Sequence, residues 1–405
     1  MTPLLRKILG MNWLLVLTML ALVIFGVYAI ESAARHLPNG GGYYAQRQKM
    51  WIIGGCVIFF ITALIDYRWI RWLGIPMYLG GLALMMLAMF KGSEVHQISV
   101  GSLSFQPTQL GIAGGIVLMG SLLQDLPRWH AVFRLPFVRI AIIGVLAGVP
   151  FLIVVAMGDM GSAMVWLPVT AVIMYASGIP YRYLLMMMII GFGCIALAYF
   201  VVLPKASERG AGRIELYLAM LDGREVDING DAYAPYWVST AIGKAGYKGI
   251  GWNASSERGS LHDKKYIPWK TAHNDFIFAV IGEEQGFRGS LLLLTGYAML
   301  LIQCLFIAFY SRDSSGRIIA AAVVALLFAH IFENIGMCVL MTPITGIPLP
   351  LVSYSGTFVV MVMFLLGLVQ SVWIHRNAEM GQTEEGPKRP KRRFTLRKGP
   401  LKNDY

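Results

Sequence analysis

Residues 138–176 read VRIAIIGVLAGVPFLIVVAMGDMGSAMVWLPVTAVIMYA, and Arg139 and Asp159 are the only charged side chains among them. Two apolar runs, Val138–Met157 and Met160–Ala176, flank a Gly-Asp step. A bilayer core takes roughly 20 apolar residues per helix, so the stretch is a pair of membrane spans joined by a tight turn. The pattern continues in both directions. Trp13–Ile30, Trp51–Ile65, Ile75–Phe90 and Leu110–Leu123 precede the pair; Leu184–Leu203, Ser290–Phe309, Ile318–Leu340 and Phe358–Ile374 follow it. The expectation is an all-α polytopic membrane protein of about ten spans. The first run is too long, and too poor in a cleavage site, for a signal peptide.

Composition agrees. Of the 405 residues 57% are hydrophobic and 14% charged, with a mean hydropathy of +0.62, whereas soluble domains carry roughly a quarter charged residues. The net charge of +12 does not point to nucleic acid, because the cations gather in short connections and in the tail. That tail, KRPKRRFTLRKGPLK from Lys388 to Lys402, holds eight Lys or Arg and suits anionic lipid headgroups. Cys56, Cys194, Cys304 and Cys338 each lie in an apolar run with no metal-ligand spacing, as small buried hydrophobes do.

Lys and Arg in short loops orient such a chain. Arg6 and Lys7, Arg68 and Arg71, Arg128, Arg134 and Arg139, Arg182, and Arg312 and Arg317 fall on alternate connections. These connections and both termini are therefore expected in the cytoplasm. The domain division is a membrane unit over 1–374, with a large outer loop over 205–274, and a basic cytoplasmic tail over 375–405. The loop is rich in Gly and aromatics, among them Tyr236, Trp237, Tyr247, Trp252 and Trp269, which suits a segment resting at headgroup level rather than a disordered one.

Ionisable groups in or beside lipid are costly, so each is a candidate site. In HNDFIFAVIGEEQGFRG, from His273 to Gly289, Asp275 stands where the loop meets an apolar helix that carries Glu283 and Glu284. A partly desolvated carboxylate there has a raised pKa and suits a general base; an Asp capping the helix N-terminus is an equal alternative. Glu284 is expected to pair with Arg288 one turn on. Asp159, between Gly158 and Gly161, needs no role beyond its turn. Asn334 to Thr357, NIGMCVLMTPITGIPLPLVSYSGT, holds three prolines in eight residues and cannot be one helix. Irregular backbone at membrane depth is tolerated where protein or a cavity surrounds it, so the segment is expected to be broken or re-entrant and to line an outer pocket. Gln106, in the polar lead-in SFQPTQL, is a weaker candidate.

DFIFAVIGEEQGF, GIPLPLVSYSG, AIGKAGYKGIGW, YYAQRQKMWIIGG and ALIDYRWIRWLG, in this order and spacing over nearly the whole chain, resemble the SEDS family of cell-wall polymerases, the RodA and FtsW proteins. NIGM before PITGIPLP is closer to RodA. The resemblance implies a glycosyltransferase that polymerises lipid II into glycan strands on the outer face for cell elongation and shape, releasing undecaprenyl pyrophosphate. It implies a class B penicillin-binding protein as transpeptidase partner and, for the leaving group, a divalent cation of unstated identity or basic side chains. It places the catalytic aspartate on Asp275, the aspartate of a conserved turn on Asp159 and a loop arginine on Arg213. His273, Glu283, Gln106 and Ser353 complete the expected substrate-binding set. The family's Arg-Trp pair has become His96 and Gln97, and its Glu and Lys on span four have become Gln109 and Ile112. SYGGSS is SYSGTF here, and Asn274 replaces a Thr. Two other classes remain: a lipid-precursor flippase, since broken helices with carboxylates also serve alternating access, and a non-catalytic scaffold for the transpeptidase.

Overall fold

The computed structural model describes residues 3–90, 98–100, 103–187, 189 and 208–376. Eight helices are long and apolar enough to cross a membrane: Trp13–Ala33, Gly40–Leu64, Tyr67–Phe90, Pro107–Trp129, Pro136–Met157, Ile277–Tyr310, Ser314–Cys338 and Gly356–His375; Met160–Ala176 is a shorter apolar ninth. They account for nine of the ten expected spans. The expected seventh, Leu184–Leu203, lies outside the described residues beyond its helical start at 184–187, as do Cys194, His96, Gln97 and the basic tail. The second span starts at Gly40 rather than Trp51, because YYAQRQK continues the helix past the apolar run that hydropathy detects.

Local chemistry sets the helix ends. Asn12 Oδ1 accepts from the Leu15 N–H at 3.2 Å, pairing one of the orphan donors at a helix start. Pro107 and Pro136 open their helices, where the missing N–H costs nothing. Gly158, at φ +81°, closes Pro136–Met157 in the left-handed conformation that favours glycine at this position.

Ser314–Cys338 is the most enclosed of the long helices, and it packs on Met160–Ala176, Ile277–Tyr310 and Pro107–Trp129. Gly356–His375 lies along Gly40–Leu64, and Tyr67–Phe90 along Pro107–Trp129. In the second pair a Cβ on Gly81 would stand 2.6 Å from Gly111 Cα, the close backbone approach that small residues permit between membrane helices. Leu17, Ile53, Leu152, Leu292 and Phe309 stay exposed, as lipid-facing side chains do. The only strands among the described residues are Ile98–Val100 and Leu103–Phe105, a small antiparallel hairpin in the register Ile98↔Phe105.

The two ends of the bundle differ. One carries Asp125 with Arg71 at 3.1 Å and Arg128 at 3.6 Å, and a Tyr67 hydroxyl bonded to Asp313. The other carries the Asp159 turn, the loop before Ile277 and the broken segment after Cys338. There a Cβ on Gly161 would meet Thr345 and Ile347, and a Cβ on Gly346 would lie 3.6 Å from Asp275 Oδ2.

Candidate active site

Asp275 closes a tight turn in which the Thr271 carbonyl accepts from the N–H groups of Asn274 and Asp275 at 3.0 Å and of Phe276 at 3.4 Å. The helix begins at Ile277 with Phe276 at the N-cap and no side-chain cap bond, so the capping role for Asp275 is set aside. Three bonds hold the turn from behind. Asn334 Nδ2 donates to the Asp275 carbonyl at 2.8 Å and to the Ile347 carbonyl at 2.7 Å. Ser353 Oγ donates to the Asn274 carbonyl at 2.5 Å and accepts from Leu349 N–H at 2.8 Å. The Tyr354 N–H donates to the His273 carbonyl at 2.9 Å.

The carbonyls of His273, Asn274 and Asp275 are therefore all engaged, while the Asp275 carboxylate accepts no hydrogen bond from any described residue. Burial pushes its pKa up to about 7: the site disfavours the charge and offers no donor that would restore it. Burial also pulls His273 down to about 4, so its imidazole, packed against Tyr44 and Tyr354, is neutral.

The proline segment is broken as expected. Helix ends at Cys338 and resumes at Gly356, while Ile347, Leu349, Leu351 and Val352 are buried. Tyr297 Oη donates to the Pro350 carbonyl at 2.6 Å. Gly346 lies against the Asp275 carboxylate, where a Cβ would make ordinary contact at 3.6 Å; its φ of +73° is what favours glycine there.

Glu283 and Glu284 differ from expectation. Glu283 accepts from the N–H groups of Leu261 at 2.5 Å and His262 at 3.1 Å and from Ser260 Oγ at 3.3 Å. Its carboxylate anchors the long loop, which takes it out of the substrate-binding set. Glu284 does not pair with Arg288; it accepts from Ser32 Oγ at 2.5 Å and Asn253 N–H at 3.2 Å, with Arg35 at 4.0 Å. The helical spacing fails because Gly286 leaves the helix at φ 64°, ψ −161°. At that kink the loop backbone docks: Ile250 and Gly251 N–H donate to the Glu283 and Glu284 carbonyls, and Phe287 and Arg288 N–H to the Gly246 and Tyr247 carbonyls. The EEQG and AGYKGIG motifs thus meet as one unit. Buried His262 completes the clamp, its ring beside the Ser32 carbonyl at 3.3 Å and its pKa lowered by burial to about 3.

Asp159 N-caps Met160–Ala176 by accepting from Ser162 N–H at 3.0 Å, and Gln106 Nε2 donates to its other oxygen at 3.5 Å. Gln109 stands 3.4 Å from His330, and buried Glu333 is within reach of the Asp159 charge. Ile112 is fully buried. Arg213 falls in the Glu208–Leu221 helix, but its side chain lies outside the described residues. His330 and Glu333 escaped the sequence reading, although two ionisable groups in an apolar run are the signal for an intramembrane site.

A cavity of about 550 Å³ opens between the loop helices and the broken segment, walled by Leu216, Tyr217, Pro235, Thr342 and Pro343 among others. Neither Asp275 nor Asp159 lines it; Asp275 meets the same segment further along, at Gly346. No three His, Cys, Asp or Glu converge as a metal cage among the described residues, so a metal held by protein ligands alone does not fit them.

A bundle of apolar helices that holds the unpaired Asp275 carboxylate at its end, against a broken segment and a docked loop, defines a multi-pass membrane protein with an enzyme-like site at the membrane surface. The chain belongs to the FtsW, RodA and SpoVE family of cell cycle proteins, whose model matches residues 10–378. It is 29% identical over 371 residues to the peptidoglycan glycosyltransferase MrdB of Escherichia coli K12, covering 89% of this chain and 93% of that one. It is 27% identical over 382 residues to the probable peptidoglycan glycosyltransferase FtsW of Geobacter metallireducens, covering 91% and 96%. A solved chain from a peptidoglycan synthase complex that coordinates polymerization and crosslinking superimposes with a TM-score of 0.73 at 25% identity, covering 90% of this chain and 98% of that chain. Thermus thermophilus RodA superimposes with a TM-score of 0.63 at 24% identity, covering 90% and 97%, a likeness of fold.

Proposed function

We propose that this protein is a peptidoglycan glycosyltransferase that polymerises lipid II on the outer face of the cytoplasmic membrane, with Asp275 as its general base. The observation that carries the reading is the Asp275 carboxylate: fixed through its backbone, free of hydrogen-bond donors and poised near neutral pH. In the reaction the GlcNAc 4-hydroxyl gives its proton to Asp275 as its oxygen bonds to the anomeric carbon of MurNAc. The bond from that carbon to the diphosphate breaks, and undecaprenyl pyrophosphate leaves with the electron pair. A general base with its pKa near the working pH contributes about 10²–10⁴-fold. A divalent cation held by one or two carboxylates together with substrate phosphates would need no protein cage and would neutralise charge on the departing diphosphate.

The positive-inside pattern supports both termini in the cytoplasm, with the Asp275 end and the clamped loop outside. A class B penicillin-binding protein is the partner that crosslinks the strands, and the likeness to MrdB and RodA supports a role in elongation and shape. The test is purified protein with that partner and labelled lipid II, comparing wild type with Asp275→Ala. Polymer from wild type and none from the variant is expected. Lipid movement without polymer would make the chain a flippase, and equal restoration of cell shape by both variants would make it a scaffold.

A further inference from the structure

We infer that Arg47, with the phenols of Tyr44 and Tyr354, forms the surface that binds the diphosphate of the lipid-linked glycosyl donor beside Asp275. The inference rests on the glycosyltransferase reading and adds a subsite to it.

The three side chains come from separate parts of the sequence. Tyr44 and Arg47 sit near the start of the Gly40–Leu64 helix, and Tyr354 in the broken segment. The Tyr44 ring lies 5.0 Å from that of His273 and 5.3 Å from that of Tyr354, and the rings of His273 and Tyr354 are also 5.3 Å apart. His273 is two residues from Asp275. The Arg47 guanidinium lies 5.5 Å from the centre of the Tyr43 ring, and its charge reaches the Tyr354 phenol. This group is fixed to the catalytic turn. Buried Gln48 donates to the Ser353 carbonyl and accepts from Ser355 N–H, both at 3.4 Å, and Ser353 and Tyr354 bond the backbone at Asn274 and His273.

What these groups leave unused points to an anion. Arg47 pairs with no carboxylate among the described residues, unlike Arg35 and Arg71. Neither the Tyr44 nor the Tyr354 hydroxyl has a hydrogen-bond partner among them. Arg47, Tyr44 and Tyr354 are all half-buried. A planar guanidinium and two phenols are a donor set matched to phosphate oxygens. Tyr and Arg at a membrane surface are also common as an interfacial belt. That suits the exposed Tyr43; Tyr44 instead turns its ring onto His273. Donors already in place need no reorganisation as charge builds on the departing diphosphate.

The experiment measures binding of inorganic pyrophosphate by calorimetry to the full-length protein in nanodiscs, beside polymerisation with lipid II. Variants are Arg47→Ala, Arg47→Lys, the double Tyr44→Phe/Tyr354→Phe, and Asp275→Ala. Arg47→Ala should weaken pyrophosphate binding and raise the KM for lipid II by at least about tenfold, the loss of one charge-assisted contact. Arg47→Lys should restore part of the binding, the double variant should weaken it less than Arg47→Ala, and Asp275→Ala should leave it intact. No pyrophosphate binding by wild type, or equal binding by both folded Arg47 variants and wild type, overturns the inference. So does a fall in kcat with pyrophosphate binding unchanged, the mark of a positioning role. If no protein polymerises lipid II yet binding still depends on Arg47, the anion site stands and the glycosyltransferase reading falls.

Discussion

Replacing Asp275 with Asn should make the protein more stable, and more so as pH rises. Its carboxyl, which ordinarily ionises at 3.8, does so at about 7 in the fold because it is buried. The folded state therefore holds a proton that the unfolded chain releases above pH 3.8, and stability is lost as pH rises through the interval up to about 7. Ionising Asp275 in place costs at most ~4 kcal/mol, of which ~2 kcal/mol is already felt at pH 5 and nearly all at pH 8. Water reaching the half-buried group lowers these figures, so the expected gain for Asp275→Asn is about 2–4 kcal/mol at pH 8 and about half that at pH 5. Thermal unfolding of both proteins in one detergent at the two pH values reads the difference. The titrations of His262 and His273 are common to both and cancel. An Asn variant less stable than wild type at both pH values, or more stable by a pH-independent amount, would refute a desolvated carboxylate at this position.

The clamp and the broken segment give further tests. Glu283→Ala leaves the Leu261 and His262 N–H groups without their acceptor at about 1–3 kcal/mol for each buried orphan; limited proteolysis should cut within 246–265 while the helices stay intact. Gly286→Ala forces a Cβ within 2.2 Å of Gly249 N in a backbone region that only glycine occupies comfortably, so the loop should undock and activity fall even though Asp275 is unchanged. Ser353→Ala strands the Leu349 N–H and the Asn274 carbonyl; kcat should fall more than KM rises, with a stability loss of roughly 1–3 kcal/mol.

Spans were legible because lipid imposes a one-dimensional rule, apolar length, that needs no knowledge of neighbours. The break after Cys338 was legible from its prolines, and the placing of Asp275 from the junction of polar loop and apolar helix. The structure also gives Gly286 as the point that separates a short site-bearing helix from the span proper. Partners were not legible. Glu284 bonds Ser32, 252 residues away, and the i,i+4 rule that pointed to Arg288 holds only in an unbroken helix. Glu283 resembled a substrate ligand because a carboxylate near an active site and one that anchors a loop look alike until the loop is seen. Asn334 was quoted within the segment, yet its two backbone acceptors, on Asp275 and Ile347, belong to chain brought together only by folding.

The central claim is that Asp275 takes a proton in the chemical step, and the pH dependence of kcat/KM for lipid II polymerisation tests it most directly. Only the ionised carboxylate can act as base, so the rate should climb about tenfold per pH unit on the acid side and level off near pH 7, where Asp275 titrates. Asp275→Asn should lose at least about 10²-fold at neutral pH and show no such limb. A variant that keeps both the wild-type rate and the wild-type profile would contradict the account.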